Sequence, residues 1–245
     1  MDDSVNLAYF SAPDVVMDYA RAAVNVGLWD SEKILFEKFL PRTAKILELG
    51  CGAGRVAFGL SRLGYTALTA TDFAPPMVEI AREINLRERA NICFDVADAT
   101  ELSFPEKSFD AVVFAFNGLQ MIPKKKRRHR ALQEIFRVLR RDGIFIFTGH
   151  DRSVPARREH WKNEQARWET GSRDPALDDF GDWNHDTPSG KMFIHSADPE
   201  ELRAELENIG FRILFSERRS RICTEPPAVL EFSDDTRFWV LKKEA

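Results

Sequence analysis

The stretch KILELGCGAG, residues 45–54, sets an apolar run, a single acid and three glycines side by side. AKILEL, residues 44–49, reads as a buried strand, and Gly50, Gly52 and Gly54 as the turn that ends it. RVAFGLSRLG, residues 55–64, then reads as a helix with Gly64 as its C-terminal cap. Glu48 lies at the tip of the strand, where a buried charge must meet a polar or cationic partner.

Working outward, the same alternation repeats. TALTAT is a second strand that ends at Asp72, and PPMVEIAREINLRE is a helix with proline in its first turn. NICFDV is a third strand. FDAVVFAF is a fourth, apolar enough to be covered on both faces. KKRRHRALQEIFRVLRR is a helix with Leu132, Ile135, Phe136 and Leu139 on one side, and GIFIFTG is a fifth strand. This order predicts an α/β fold: a doubly wound, Rossmann-like sheet of about seven strands with helices on both faces. The sheet is expected to be mostly parallel, with an antiparallel last strand. Ligands of such sheets bind beyond the carboxyl ends of the strands, where Glu48, Asp72, Asn117 and His150 fall.

The flanks extend one domain over residues 1–245. Residues 1–43 form an N-terminal helical cap, with 14–40 expected to be helical and Pro41 ending the run. The core is 44–150. Residues 151–194 are polar, carry Trp161, Trp168 and Trp183, and read as an inserted lid or substrate segment, part helical, with KMFIH as a short strand. From 195 onward a helix begins at Asp198 with a first-turn proline and a reciprocal Glu201, and FRILFSERRS and RFWVLKK are the last strands.

Bulk composition bounds the partners. The chain has 245 residues, 30% of them charged, and a net charge of −4, which argues against a general nucleic-acid binder. Cys51, Cys93 and Cys223 are odd in number and far apart, so neither a disulfide frame nor a zinc site is expected. No charged-then-apolar leader opens the chain and no apolar stretch reaches bilayer length. A cytoplasmic protein with no membrane partner is therefore expected.

The glycine turn has two common ligands. Pyrophosphate of a dinucleotide calls for GxGxxG, but the third required glycine position is Arg55, and the actual third glycine comes one residue early. Glu48 would also repel a pyrophosphate at short range, whereas it suits an ammonium or a sulfonium.

The pattern Glu48-Leu-Gly50-Cys-Gly52-Ala-Gly54 resembles motif I of the class I S-adenosylmethionine-dependent methyltransferases. DVADATELSFPEKSFDAVV, FNGLQMIP, LQEIFRVLRRDGIFIF and SADPEELRAELENIGFRI resemble the later landmarks of the same family, in order. The resemblance covers about residues 44–150 and 195–243. It implies S-adenosylmethionine as cofactor and S-adenosylhomocysteine as product. It assigns the ribose hydroxyls to Asp72, the adenine edge to Asp98 and Ala99, and the methionine end to Asn117 and Gly118. It also carries Cys51, Phe73 and Met77 to the cofactor side.

Methyl transfer from a sulfonium is an in-line displacement, in which the protein chiefly holds nucleophile and methyl aligned. A base is needed only when the acceptor must lose a proton. His150 and His195 are the candidate catalytic residues, with Asp151 beside the first. Asn117 is followed by Gly118 and Leu119 rather than by two prolines and an aromatic. That departure argues against exocyclic amines of DNA bases and against protein glutamine as acceptors.

A small-molecule acceptor is expected. The alternatives are an RNA methyltransferase using the basic run KKKRRHR, residues 124–130, a cofactor-binding domain without turnover, and a nucleotide-dependent oxidoreductase. NLAYF and GLWDSE are expected to fold over the cofactor, with Tyr9 and Trp29 as candidate lid residues. The tryptophans of the insertion either stack on an acceptor or, with Trp161 and Trp168 seven apart, pack one helical face on the domain.

Overall fold

The computed structural model describes residues 4–244. Nine strands are described: β1 Ile46–Leu49, β2 Leu68–Asp72, β3 Cys93–Val96, β4 Phe109–Phe114, β5 Leu139–Gly149, β6 Asp182–Thr187, β7 Gly190–His195, β8 Phe211–Arg218 and β9 Arg237–Lys243. Seven of them form one sheet in the order β3-β2-β1-β4-β5-β9-β8, and β6 and β7 make a separate hairpin. β1 to β5 run parallel, and β9 runs antiparallel to both β5 and β8. The antiparallel strand is last in the chain but not last in space, since β8 forms the edge.

Alternation along each strand builds two apolar layers. Ile46, Val113, Ile146 and Val240 face one side. There they meet α2 Pro13–Asn25, α3 Asp30–Phe39, α4 Arg55–Arg62 and α5 Pro75–Glu88. Leu47, Val112, Phe147 and Leu241 face the other, under α6 Lys125–Val138 and α8 Pro199–Ile209. A third, smaller cluster lies above the strand ends, where Phe10 and Val16 pack with Ala74 and Met77. Phe10 closes a short helix, α1 Ser4–Phe10.

Two expectations need correction. Residues 14–40 are not one helical run: Gly27, at φ 63°, breaks it, and α3 restarts at Asp30. The new N-terminus is satisfied from two sides. Glu32 accepts from the Trp29 N–H at 2.9 Å, and Glu225 accepts from Asp30 and Ser31 N–H at 2.9 and 3.1 Å. Asp198 does cap α8, accepting from Glu200 and Glu201 N–H at 2.9 and 3.2 Å. The Glu201 carboxylate, however, bonds Arg152 at 3.1 Å, a cation being a stronger partner than one more backbone N–H. The link between β8 and β9 is a long excursion carrying α9 Arg219–Ile222 and α10 Pro227–Phe232.

Two tryptophans of the insertion pack inside it. Trp161, on α7 Arg158–Glu169, and Trp168 each pack edge-on against Phe180 at 6.0 Å, giving residues 151–194 a small core of their own.

Candidate active site

β1 lies between β2 and β4, so the crossovers leave it in opposite directions and a crevice opens beyond its carboxyl end. A cavity occupies that crevice, with about 780 Å³ of empty space, its open mouth included. Gly50, Gly52, Asp72 and Phe73 line one side of it, and Asp98, Ala99, Phe116 and Gly118 line another. Asn6 and Phe10 of α1 and Tyr19 of α2 close over it.

The glycines do different work. Gly50 holds φ +60°, and a Cβ there would sit 2.7 Å from the Phe114 ring. Gly52 holds φ +53° and donates its N–H to Asp72 Oδ2 at 2.8 Å. Gly54 starts α4, and a Cβ there would meet the Phe58 ring at 2.6 Å, so its smallness serves packing behind the turn.

Asp72 is buried, and each of its oxygens already accepts one backbone N–H: Gly52 on Oδ2, and Ala74 on Oδ1 at 2.9 Å. A lone pair remains on each oxygen, so the side chain both ties the turn to β2 and keeps capacity for two donors. Burial pushes its carboxyl up, against the N–H groups of Ala74, Gly52 and Phe73.

Glu48 has the same facing as Ile46 and points to the α4 side. It is 4% exposed, and its Oε2 meets no partner. With Cys51, Arg55 and Phe232 it lines a smaller chamber that shares Gly50, Tyr19, Ala115 and Phe116 with the main cavity. Burial pushes the Glu48 carboxyl well above the usual range. Arg55 opposes the shift, and Glu32 and Asp72 add to it. Arg55 cannot satisfy Glu48, because its guanidinium is held in a bidentate pair by Glu32 at 2.6 and 2.7 Å. A buried carboxyl with one oxygen unpartnered beside a glycine turn fits a ligand with a cationic head. Cys51 is different: burial, and then Glu48 and Asp72, raise its thiol well above the usual value, so it stays protonated and inert.

A family model described as a methyltransferase domain matches residues 46–143. Over 103 residues the chain is 38% identical to a demethylmenaquinone methyltransferase of Thermus thermophilus, covering 42% of this chain and 45% of that protein. Over 137 residues it is 35% identical to the ubiquinone/menaquinone biosynthesis C-methyltransferase UbiE of Rickettsia massiliae, covering 53% of this chain and 54% of that one. The chain thus spans about half the length of the curated relatives it matches. A SAM-dependent methyltransferase structure from Methanosarcina mazei has the same fold, with a TM-score of 0.69 at 20% identity over 89% of this chain and 99% of that one. Residues 46–143 match the methyltransferase domain family. The donors and acceptors around the glycine turn suit the cationic and nucleoside ends of S-adenosylmethionine.

At the far end of the methyltransferase cavity, Asp98 accepts from Thr100 N–H at 2.8 Å and pairs with Arg127 at 2.9 Å. Burial raises the Asp98 carboxyl, but Thr100 and Arg127 together outweigh it and hold the group below its usual value. Asn117 lies between the cavity residues Phe116 and Gly118 at φ 64°, with its N–H on Thr148 Oγ1 at 3.0 Å and its Oδ1 unpartnered. Its Nδ2 meets His150 Nε2 at 3.3 Å. Met77 is fully buried behind Ala74 and reaches the site only by supporting Phe10 and Phe73.

The structure does not bring the second candidate base to this cavity. His195 Nδ1 bonds Asp182 at 2.8 Å, and the ring lines a separate groove between α6 and α8. Asp179, Asp182 and His195 have the spacing of a metal site, but Arg128 pairs with Asp179 at 2.8 Å and Asp182 at 3.4 Å, so a guanidinium already supplies the cation. Asp151 is likewise committed, to Ser153, Arg218 and Arg237. Trp29 is no lid residue. It is fully buried between the Arg55 and Arg219 guanidiniums at 4.7 and 5.2 Å. Tyr9 packs beside Phe10 rather than lining the cavity.

The basic run is largely neutralised at home. Lys125 and Arg128 pair with Asp179, Arg127 with Asp98, His129 with Glu205 and Arg130 with Glu134. Asn6 and Phe10 come from the stretch expected to fold over the cofactor and Arg127 from the basic run, whereas Tyr19 is a cavity residue that the sequence reading missed. Tyr19 follows Val15 and Val16 at helical spacing, which reads as ordinary core.

Proposed function

We propose that this protein transfers a methyl group from S-adenosylmethionine to a small-molecule acceptor by in-line displacement, releasing S-adenosylhomocysteine. The observation that carries this reading is the roofed cavity at the carboxyl end of β1. Its turn residues, Asp72 and Asp98 match the methyltransferase pattern, and α1 and α2 close over it.

The bound cofactor supplies an activated methyl group on a sulfonium. The chain's own residues bind and align. Asp72 accepts from two ribose hydroxyls, Asp98 takes the adenine amine, and Glu48 balances the ligand's positive charge. Gly50 and Gly52 let backbone approach closely. Phe10, Tyr19 and Phe116 exclude water, which strengthens each of these polar contacts. Where the acceptor must lose a proton, His150, hydrogen-bonded to Asn117, is the candidate base. Its partial burial, with Arg157 adding, lowers its pKa to about 4, so it stands neutral at pH 7 with Nε2 facing Asn117.

A small acceptor is supported by the closed roof and by the pairing of the basic run, which leaves little free charge for a phosphate backbone. The N-terminal cap, core, inserted segment and C-terminal strands act as one unit in this reading. A cytoplasmic location belongs to it too, supported by three free cysteines; no described helix is long and apolar enough to cross a membrane.

The test is transfer of a labelled methyl group from S-adenosylmethionine into fractionated cell extract. Label in the small-molecule fraction is expected. Label in RNA or protein, or cofactor bound with nothing labelled, overturns the acceptor class or the turnover.

A further inference from the structure

One polar side chain lining the cavity has no part in the chemistry above and is nonetheless held by three hydrogen bonds. Asn6, in the first turn of α1, is 1% exposed. Its Nδ2 donates to the carbonyls of Met121 at 2.6 Å and of Phe193 at 3.1 Å, and its Oδ1 accepts the Phe193 N–H at 2.8 Å. The amide therefore grips Phe193 on both sides, as a neighbouring strand would, and reaches across to the turn after β4 with its second proton. Asn6 and Phe10 both line the main cavity. Phe10 meets Phe73 at 6.2 Å and Tyr19 at 5.8 Å, so seating α1 also seats the aromatic roof.

We propose that Asn6 is a positioning residue for cofactor retention: it latches α1 over the cofactor cavity by clamping the Phe193 peptide and the Met121 carbonyl, and cofactor exchange requires that clamp to open. This rests on the cavity being the cofactor site. Phe193 belongs to β7, whose His195 is fixed through Asp182 to Arg128 of α6. The hairpin is thus anchored to the core on one side and holds α1 on the other. The inserted segment and the cofactor roof move together, and an acceptor that orders the hairpin tightens the hold on the cofactor.

Removing the latch strands two carbonyls and one N–H that have no other route to a partner while α1 is closed, so the closed state loses most and the open state, in water, loses little. Stopped-flow release of S-adenosylhomocysteine, followed by tryptophan fluorescence, reads the effect. Asn6→Ala should speed release by roughly tenfold or more while changing the far-UV circular dichroism little. Asn6→Asp adds a signature that a merely structural residue would not give. An ionised carboxylate repels the two carbonyls, but a protonated one donates to a carbonyl and still accepts from Phe193. Release from Asn6→Asp should therefore slow toward the wild-type rate as pH falls, and release from Asn6→Ala should not. Release within about twofold of wild type in a folded Asn6→Ala, or the same pH response in both variants, overturns the latch. Failure of the wild type to bind S-adenosylhomocysteine would instead overturn the cofactor site, so the two failures are distinct.

Discussion

Glu48 is a carboxyl whose Oε2 has no partner, and whose nearest cation, Arg55, is bound to Glu32. Burial keeps a proton on it in the free protein. A cationic ligand head stabilises the ionised form, so cofactor binding should release a proton, and affinity should rise with pH until the free carboxyl ionises. Titration calorimetry in buffers of different ionisation heat measures this directly. Glu48→Gln should bind more weakly and release no proton. His150 gives the opposite kind of linkage. Its folded pKa, about 4, lies below the unfolded value near 6.5, so the unfolded state takes up a proton first as the solution is acidified. Its contribution is intact above about pH 6.5 and is lost between there and pH 4, up to roughly 3 kcal/mol, as 1.36 kcal/mol per unit implies. Urea melts should show that decline in the wild type and a flatter one in His150→Asn.

At the scale of elements, the joint between α3 and α4 is a buried ion pair. Glu32 is fully enclosed, Arg55 nearly so, and Trp29 covers the guanidinium. Removing one partner leaves an uncompensated charge, so Glu32→Ala should destabilise by about 3–5 kcal/mol in urea. Replacing both by apolar residues of similar size should cost far less. This joint also shows where sequence reading stops. The strands around KILELGCGAG, FDAVVFAF and GIFIFTG were legible because apolar runs between turn signals have one sensible reading in a parallel sheet. Gly27 at positive φ, and Glu225 reaching the α3 N-terminus from far along the chain, depend on contacts that no local pattern encodes. Glu48 and the glycines could be read because they are contiguous in sequence, and Asp72 because it closes the next strand. Asn6 could not, because a lone asparagine in a first helical turn gives no sign of what it will grip.

For the whole molecule, charge is arranged to close the fold rather than to recruit a polymer. Most of the basic run at the start of α6 is tied to acids of the cavity rim, the insertion and α8. No RNA binding is expected even at low salt, and gel-shift or polarisation assays at about 50 mM salt check it. The same pairing explains how cations came to sit at a helix N-terminus against the macrodipole: the Asp98, Asp179, Asp182 and Glu205 carboxylates supply what the dipole withholds. The central claim is that the roofed crevice at the end of β1 holds S-adenosylmethionine. Calorimetric titration of wild type and Asp72→Ala with S-adenosylhomocysteine and with NAD tests it most directly. Saturable binding of S-adenosylhomocysteine to the wild type is predicted, weakened by about 2–4 kcal/mol in folded Asp72→Ala, with no heat from NAD. Binding of NAD alone, or unchanged affinity in Asp72→Ala, contradicts it.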